Sequence, residues 1–148
     1  MRIVVLIGLP GSGKSTYLDH LGVGGLSSDA IRKLLADDET DQTIHQQVFE
    51  TLRYLLRQRM MLGREVTYID ATNLTPAERH PYIAIGRAYG CEIEAVFFDV
   101  PLDVCLERNR NRPRAVPQEA LRLMSAKLRI PTVDEGFTRI IRVGVAYT

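Results

Sequence analysis

The stretch Gly8-Leu9-Pro10-Gly11-Ser12-Gly13-Lys14-Ser15 constrains this chain more than any other feature. It fits the pattern GxxxxGK[ST], follows the β-branched run Arg2 to Ile7, and opens the helical segment Lys14 to Leu21. Between a buried strand and a helix, such a turn lets the backbone N–H groups of Gly11 to Thr16 wrap one anion, and the helix start adds its positive dipole end. Lys14 then reaches the outer oxygens of a bound polyphosphate, and Ser15 offers its hydroxyl to Mg²⁺. Gly8, Gly11, Ser12, Gly13, Lys14, Ser15 and Thr16 are therefore the candidate nucleotide-binding residues, with ATP or GTP as the implied ligand. The alternative for the same letters is a glycine-rich turn with a surface lysine; the strand-then-helix context weighs against it.

A length of 148 residues suits one domain over 1–148, too short for a large motor ATPase, and 45% apolar with 25% charged residues is the composition of an ordinary globular protein. The formal net charge of +1 excludes a blanket cationic surface of the kind that coats nucleic acid, so any polyanion site must be local. Most of the cations are Arg, with Lys only at 14, 33 and 127, a bias that follows either genome composition or oxyanion recognition. The run Ile3 to Leu9 is far short of the ~20 residues that span a bilayer, and it leads into the glycine-rich turn rather than a cleavage site. No membrane association is expected. Cys91 and Cys105 form no CxxC, and neither has zinc-spaced partners, so a reducing, cytoplasmic setting is expected.

Strand and helix signals alternate along the chain. After Gly22, Gly24 and Gly25 comes a short strand, Leu26-Ser27, and a helix through Leu35 capped by Ser28 or Asp29. Asp41 to Leu62 carries a helical stripe at Ile44, Val48, Leu52, Leu55, Leu56 and Met60, with Met60-Met61 expected as core filler. Glu65 to Asp70 is a third strand, and Thr75-Pro76-Ala77-Glu78 is a capping box for a helix to Tyr89. Glu92 to Val100 is a fourth strand, Pro101 opens a helix to about Arg108, Pro117 to Leu128 is a last helix, and Phe137 to Val145 a final strand. The expected fold is α/β, a mostly parallel sheet of about five strands with helices on both faces.

Three further groups gather chemistry. Asp70 stands where the third strand stops, before Ala71-Thr72-Asn73, the position from which a carboxylate orders the water shell of a metal; it would equally serve as a turn cap. Asp29 ends the second strand with Arg32 three residues on, which pairs a base for an attacking hydroxyl with an anion clamp, or else a helix cap with a solvated charge. Arg108, Arg110, Arg112 and Arg114 crowd a Pro-bounded segment, either a phosphate lid or a solvated basic turn. Asp37, Asp38 and Glu39 read as an acidic turn, and His20, His45 and His80 as surface or capping residues. No Asn-Lys-x-Asp guanine specifier is present, which disfavours a GTPase switch.

The segments GLPGSGKST, SSDAIRK, DDETDQ, IDATNLTPAERH and ERNRNRPRAVP together resemble the 5′-polynucleotide kinase domain of the phage and bacterial end-healing enzymes, from Ile3 to about Ile141. The resemblance implies an adenylate-kinase-like P-loop NTPase fold with an Arg-rich lid, ATP as phosphate donor with Mg²⁺, and transfer to the 5′-OH end of DNA or RNA. It makes Lys14, Asp29, Arg108 and Arg112 catalytic, with the two arginines also touching nucleotide. Asp29, Arg32, Asp70, Thr72 and Asn73 would face the acceptor, with Ser15, and Asp70 through water, at the metal. The phosphatase and ligase that accompany such kinases are absent from these residues and would act from separate chains. Two other functions share these parts: a small-metabolite kinase of the gluconate or shikimate type, and a nucleotide-sensing module without transfer chemistry.

Overall fold

The computed structural model describes residues 1–113 and 115–145. Strand β1 (Arg2–Ile7) is buried from Ile3 onward and pairs in parallel on both sides, with β3 (Val66–Asp70) from Arg2↔Val66 and with β4 (Glu92–Phe98) from Arg2↔Glu92. Beyond these lie β2 (Leu26–Ser27) beside β3 and β5 (Arg139–Val143) beside β4, giving the all-parallel order β2-β3-β1-β4-β5. The chain leaves β1 toward β2 and β3, then crosses back to β4. The crevice at the carboxyl end of β1 is therefore the topological switch point, where open α/β sheets bind ligands.

Among the described residues six α-helices follow from the sequence pattern: α1 (Lys14–Leu21), α2 (Ser28–Ala36), α3 (His45–Met61), α4 (Pro76–Ala88), α5 (Leu102–Arg110) and α6 (Gln118–Lys127). One sheet face packs Ile3, Val5, Ile7, Ile69, Ile93, Ala95 and Phe97 against the stripe Val48, Leu52, Leu56 and Met60 of α3 and Tyr82, Ile83 and Ile85 of α4. The helix α4 approaches so closely at Gly86 that a Cβ there would lie 2.7 Å from Ile93 Cγ1. The opposite face packs Val4, Leu6, Val96 and Phe98 on Leu18 of α1. A third cluster, Leu9, Leu74, Val100, Cys105, Leu106 and Leu121, seats α5 and α6 beside the glycine-rich turn.

Several boundaries differ from the sequence expectation, each for a local reason. The helix α3 starts at His45 rather than Asp41, because the Asp41 carboxylate accepts from Thr43 N (2.8 Å) and Thr43 Oγ1 (2.6 Å), and Asp38 holds Thr40 in the same way. Such side-chain turns compete with helix. Met60 is core, whereas Met61, one step of rotation off the stripe, is 64% exposed. Ser27, not Ser28 or Asp29, caps α2, its side chain accepting from Ala30 N at 3.1 Å. Thr75 caps α4 as expected, but the return arm of the box goes elsewhere: the Glu78 carboxylate takes Leu74 N and Thr75 Oγ1. Strands β4 and β5 are shorter than the apolar runs that contain them, and α5 runs on to Arg110.

Candidate active site

The turn between β1 and α1 is held open by backbone geometry. Gly11 and Gly13 have φ of +82° and +101°, Ser12 N donates to Leu9 O at 3.0 Å, and Gly8 N donates to Thr72 O at 3.0 Å. A side chain at Gly8 would place its Cβ 2.5 Å from Ser12 Oγ, and one at Gly11 would meet Cys105 O at 3.0 Å, so glycine is required at both. Lys14 folds back across this loop, its Nζ donating to Gly8 O at 2.8 Å and Leu9 O at 2.9 Å. Loss of water around the buried ammonium lowers its pKa to about 8, although Asp70, and more weakly Asp29, pull it back up and Arg112 lowers it further.

This loop fits a polyphosphate on an observation of its own: the Ser12 hydroxyl is buried without a hydrogen-bond partner, and so is left to complete its bonding with an incoming group. Among the described residues no set of three or more His, Cys, Asp or Glu side chains could cage a metal. Ser15, exposed in the first turn of α1, and Asp70, at the end of β3, are the hydroxyl and carboxylate that would suit Mg²⁺ held chiefly by phosphates and water. Thr16 belongs to the first turn of α1, where the free N–H groups face the loop.

The register Ser27↔Asp70 brings the start of α2 beside the end of β3. Burial raises the Asp70 carboxyl above its ordinary pKa, opposed by Lys14 and reinforced by Asp29, so the three groups share one electrostatic neighbourhood. Because Ser27 does the capping, Asp29 is free, and its side chain is 69% exposed. Arg32 is the opposite case. It is buried at 5% exposure, its Nη1 reaches Asp29 Oδ1 only at 3.5 Å, and its Nε has no partner.

Of the arginines expected to form a lid, Arg108 Nη1 donates to Gly11 O at 3.2 Å, directly on the glycine-rich turn. Arg112 is exposed on a bend, near enough to influence Lys14. Arg110 pairs with Glu107 at 2.9 Å in solvent, which is the solvated-turn alternative for that residue, and Arg114 lies outside the described residues. Thr72 meets the site through its carbonyl. Asn73, expected among the acceptor contacts, is instead turned inward: it is 2% exposed with φ +50°, and its Nδ2 donates to Leu6 O at 2.7 Å and Ala71 O at 3.2 Å. Its amide ties the turn after β3 to the end of β1. Local pattern did not point to Arg79 and Glu135, an ion pair behind that turn whose arginine is fully buried. One signal was available, the Thr132-x-x-Glu135 spacing, which does form a capping box.

Residues 3–131 match the family model of an AAA domain. The chain belongs to that family. This AAA domain is 37% identical over 83 residues to the human (Homo sapiens) L-seryl-tRNA(Sec) kinase, covering 56% of the chain and 24% of that protein. It is 23% identical over 149 residues to the bifunctional polynucleotide phosphatase/kinase of Schizosaccharomyces pombe, covering 96% of the chain and 33% of that protein. The AAA domain thus spans about a quarter of the length of the first relative and a third of the second. Among solved structures it superposes on a sugar kinase of Janibacter sp. with a TM-score of 0.69 at 22% identity, covering 99% of this chain and 86% of the other. That likeness shows the fold, a P-loop kinase fold. No helix among the described residues is long and apolar enough to cross a membrane.

Proposed function

We propose that this AAA domain is an ATP-dependent, Mg²⁺-requiring kinase that phosphorylates a hydroxyl carried by a nucleic acid, the 5′-OH end of DNA or RNA. The observation that carries this is Arg32, buried beside the exposed Asp29 carboxylate with its Nε unpartnered. A buried guanidinium with spare donors costs stability until an anion fills them, and a phosphate matches its planar fork. A phosphate on the 3′ side of the terminal nucleoside would sit on Arg32 and leave the 5′ hydroxyl near Asp29, which supports an acceptor of at least one nucleotide. The two relatives whose printed activities act on RNA or polynucleotide support the same substrate class.

Asp29 orients the hydroxyl and takes its proton as the new O–P bond forms and the bond to the departing ADP breaks. Lys14 swings from Gly8 O and Leu9 O to the donor's outer oxygens. Arg108, already on Gly11 O, and Arg112 meet the charge that builds on the transferring group. Mg²⁺, when bound, neutralises charge on the donor phosphates; Ser15, and Asp70 through water, would hold it. A phosphatase or ligase on another chain would complete end repair. A small acidic alcohol would also satisfy Arg32 through its carboxylate, and the sugar-kinase fold keeps that second function in view.

One assay separates them: labelled ATP offered to a 5′-OH oligonucleotide, a nucleoside 3′-phosphate, a bare nucleoside, gluconate and shikimate. Label is expected on the first two, with the bare nucleoside poor, and Arg32→Ala should raise KM for the oligonucleotide by about tenfold or more while KM for ATP stays put. Label on the sugar acids alone overturns the nucleic-acid acceptor.

A further inference from the structure

Arg79, in the first turns of α4, is completely buried, and every N–H-bearing nitrogen of its guanidinium is engaged. Nε and Nη2 form a fork on the two oxygens of Glu135 at 2.9 and 3.0 Å. Nη1 lies on three backbone carbonyls, those of Asn73 (3.1 Å), Leu74 (3.3 Å) and Arg129 (3.0 Å). Leu74 O also accepts from Arg129 N at 2.9 Å, and Glu135 Oε2 accepts from Thr132 N at 2.9 Å. On its other side the 72–74 turn is bonded to the base of the phosphate loop, through Gly8 N to Thr72 O and Asn73 Nδ2 to Leu6 O. Gly8 O in turn receives the Lys14 ammonium.

A buried ion pair is poor evidence for stability, since apolar side chains of equal volume commonly hold a core as well. What apolar chains could not do is gather three carbonyls from two distant stretches of backbone on one nitrogen, and the bidentate fork on Glu135 fixes the orientation of the guanidinium that does so. We propose that the Arg79–Glu135 pair is a positioning device for the phosphate site: it sets the 72–74 turn, and through that turn the entry of the phosphate loop. Glu135 lies beyond residues 3–131, so a segment outside the family match governs the geometry of a site inside it. The inference rests on the glycine-rich turn as the phosphate site, and Arg79 touches no substrate.

The test compares wild type with Glu135→Gln and Arg79→Lys in the full chain, under conditions where circular dichroism shows each folded. Glu135→Gln exchanges a charged fork for an amide with one acceptor, and Arg79→Lys replaces five directed donors by one ammonium. Residue-resolved hydrogen exchange should show the Gly8 amide at least about tenfold faster, with Val5 and Ile69 within about twofold of wild type, because the loss is local. A pair that only stabilised the fold would speed all three amides together. In the transfer assay kcat per folded molecule, with the folded fraction taken from circular dichroism, should fall about tenfold with KM for the acceptor unchanged, a loss that a smaller folded fraction cannot produce once it is corrected for. Unchanged Gly8 exchange, or a uniform rise, in whichever variant folds overturns the proposal. The exchange arm needs no substrate, so its failure removes the coupling alone, whereas a wild-type protein that transfers no phosphate overturns the kinase assignment alone.

Discussion

Lys14 carries a prediction that can be worked through from its surroundings. In the free protein its ammonium lies on Gly8 O and Leu9 O, and its pKa stands at about 8 rather than 10.5. The phosphates of a bound nucleotide would restore the charged form. Binding therefore takes up protons: with a free pKa near 8, about 0.1 proton at pH 7, about 0.5 at pH 8 and about 0.9 at pH 9. The same arithmetic makes this group weaken ADP binding about tenfold between pH 7 and pH 9. Calorimetric titration with ADP in buffers of different ionisation enthalpy measures the uptake directly, and above pH 8 the ADP phosphates are already ionised in both states. Lys14→Met should abolish it. Stability carries the same signature: between about 8 and 10.5 the unfolded chain keeps the Lys14 proton that the native state has released. The Lys14 contribution to stability therefore rises with pH across that window, by at most about 3 kcal/mol relative to Lys14→Met. Proton uptake that stays flat from pH 7 to 9, or that survives Lys14→Met, refutes the reasoning.

Asp29→Ala should lower phosphoryl transfer by about 100-fold or more while ADP affinity, followed by a fluorescent analogue, moves less than about twofold; near-normal turnover would remove Asp29 as the base. Arg112→Lys, which keeps charge but loses the planar fork, should cost about tenfold in kcat, about 1.4 kcal/mol, and a kinetically silent variant would return Arg112 to the solvated turn. Asn73→Ala removes two buried hydrogen bonds and leaves Ala at positive φ, so urea unfolding should show a loss of about 2–4 kcal/mol; a loss below about 0.5 would deny the amide its structural part. Gly86→Ala should destabilise by about 1–3 kcal/mol despite better helix propensity, because its Cβ would press on Ile93 and Ile3; a stabilised variant in thermal melts would contradict that packing.

What the sequence made legible was whatever depends on neighbouring letters. The glycine-rich turn, the alternation of strand and helix, and the α3 stripe from Val48 to Met60 are local patterns that the structure contains, although the helix begins after Ile44. Asp29 illustrates the border of that method. Its letters suited a cap as well as a base, and only the bond from Ala30 N to Ser27, which sets the cap two residues earlier, leaves it out of the cap. Arg32 could be seen as a cation three residues on, but its burial depends on what α2 packs against, which no local pattern encodes. Asn73 was recognisable as special in the Thr-Asn-Leu segment, yet the direction of its amide is set by Leu6, sixty-seven residues earlier. Arg79 was invisible because three of its partners are backbone carbonyls, which every residue type possesses.

The shortness of β2 has a consequence for how such a protein can change its substrate. Only Leu26 and Ser27 join the sheet, paired to Ile69 and Asp70 at its outer edge, while β3, β1, β4 and β5 run longer and continue without it. The residues proposed to meet the acceptor, Asp29 and Arg32, thus ride on a peripheral segment, 26–44, attached to a four-stranded donor-handling frame. Its chief anchor in the core is Ile31, packed among the residues of α3. On the proposed function, replacements between Gly25 and His45 should change the acceptor without redrawing the β1–α1 turn, because that turn lies outside the segment and beside β3 and β4. On the same proposal, a graft of 26–44 from a kinase of different acceptor that keeps a carboxylate at position 29 should change the acceptor while the β1–α1 loop is retained.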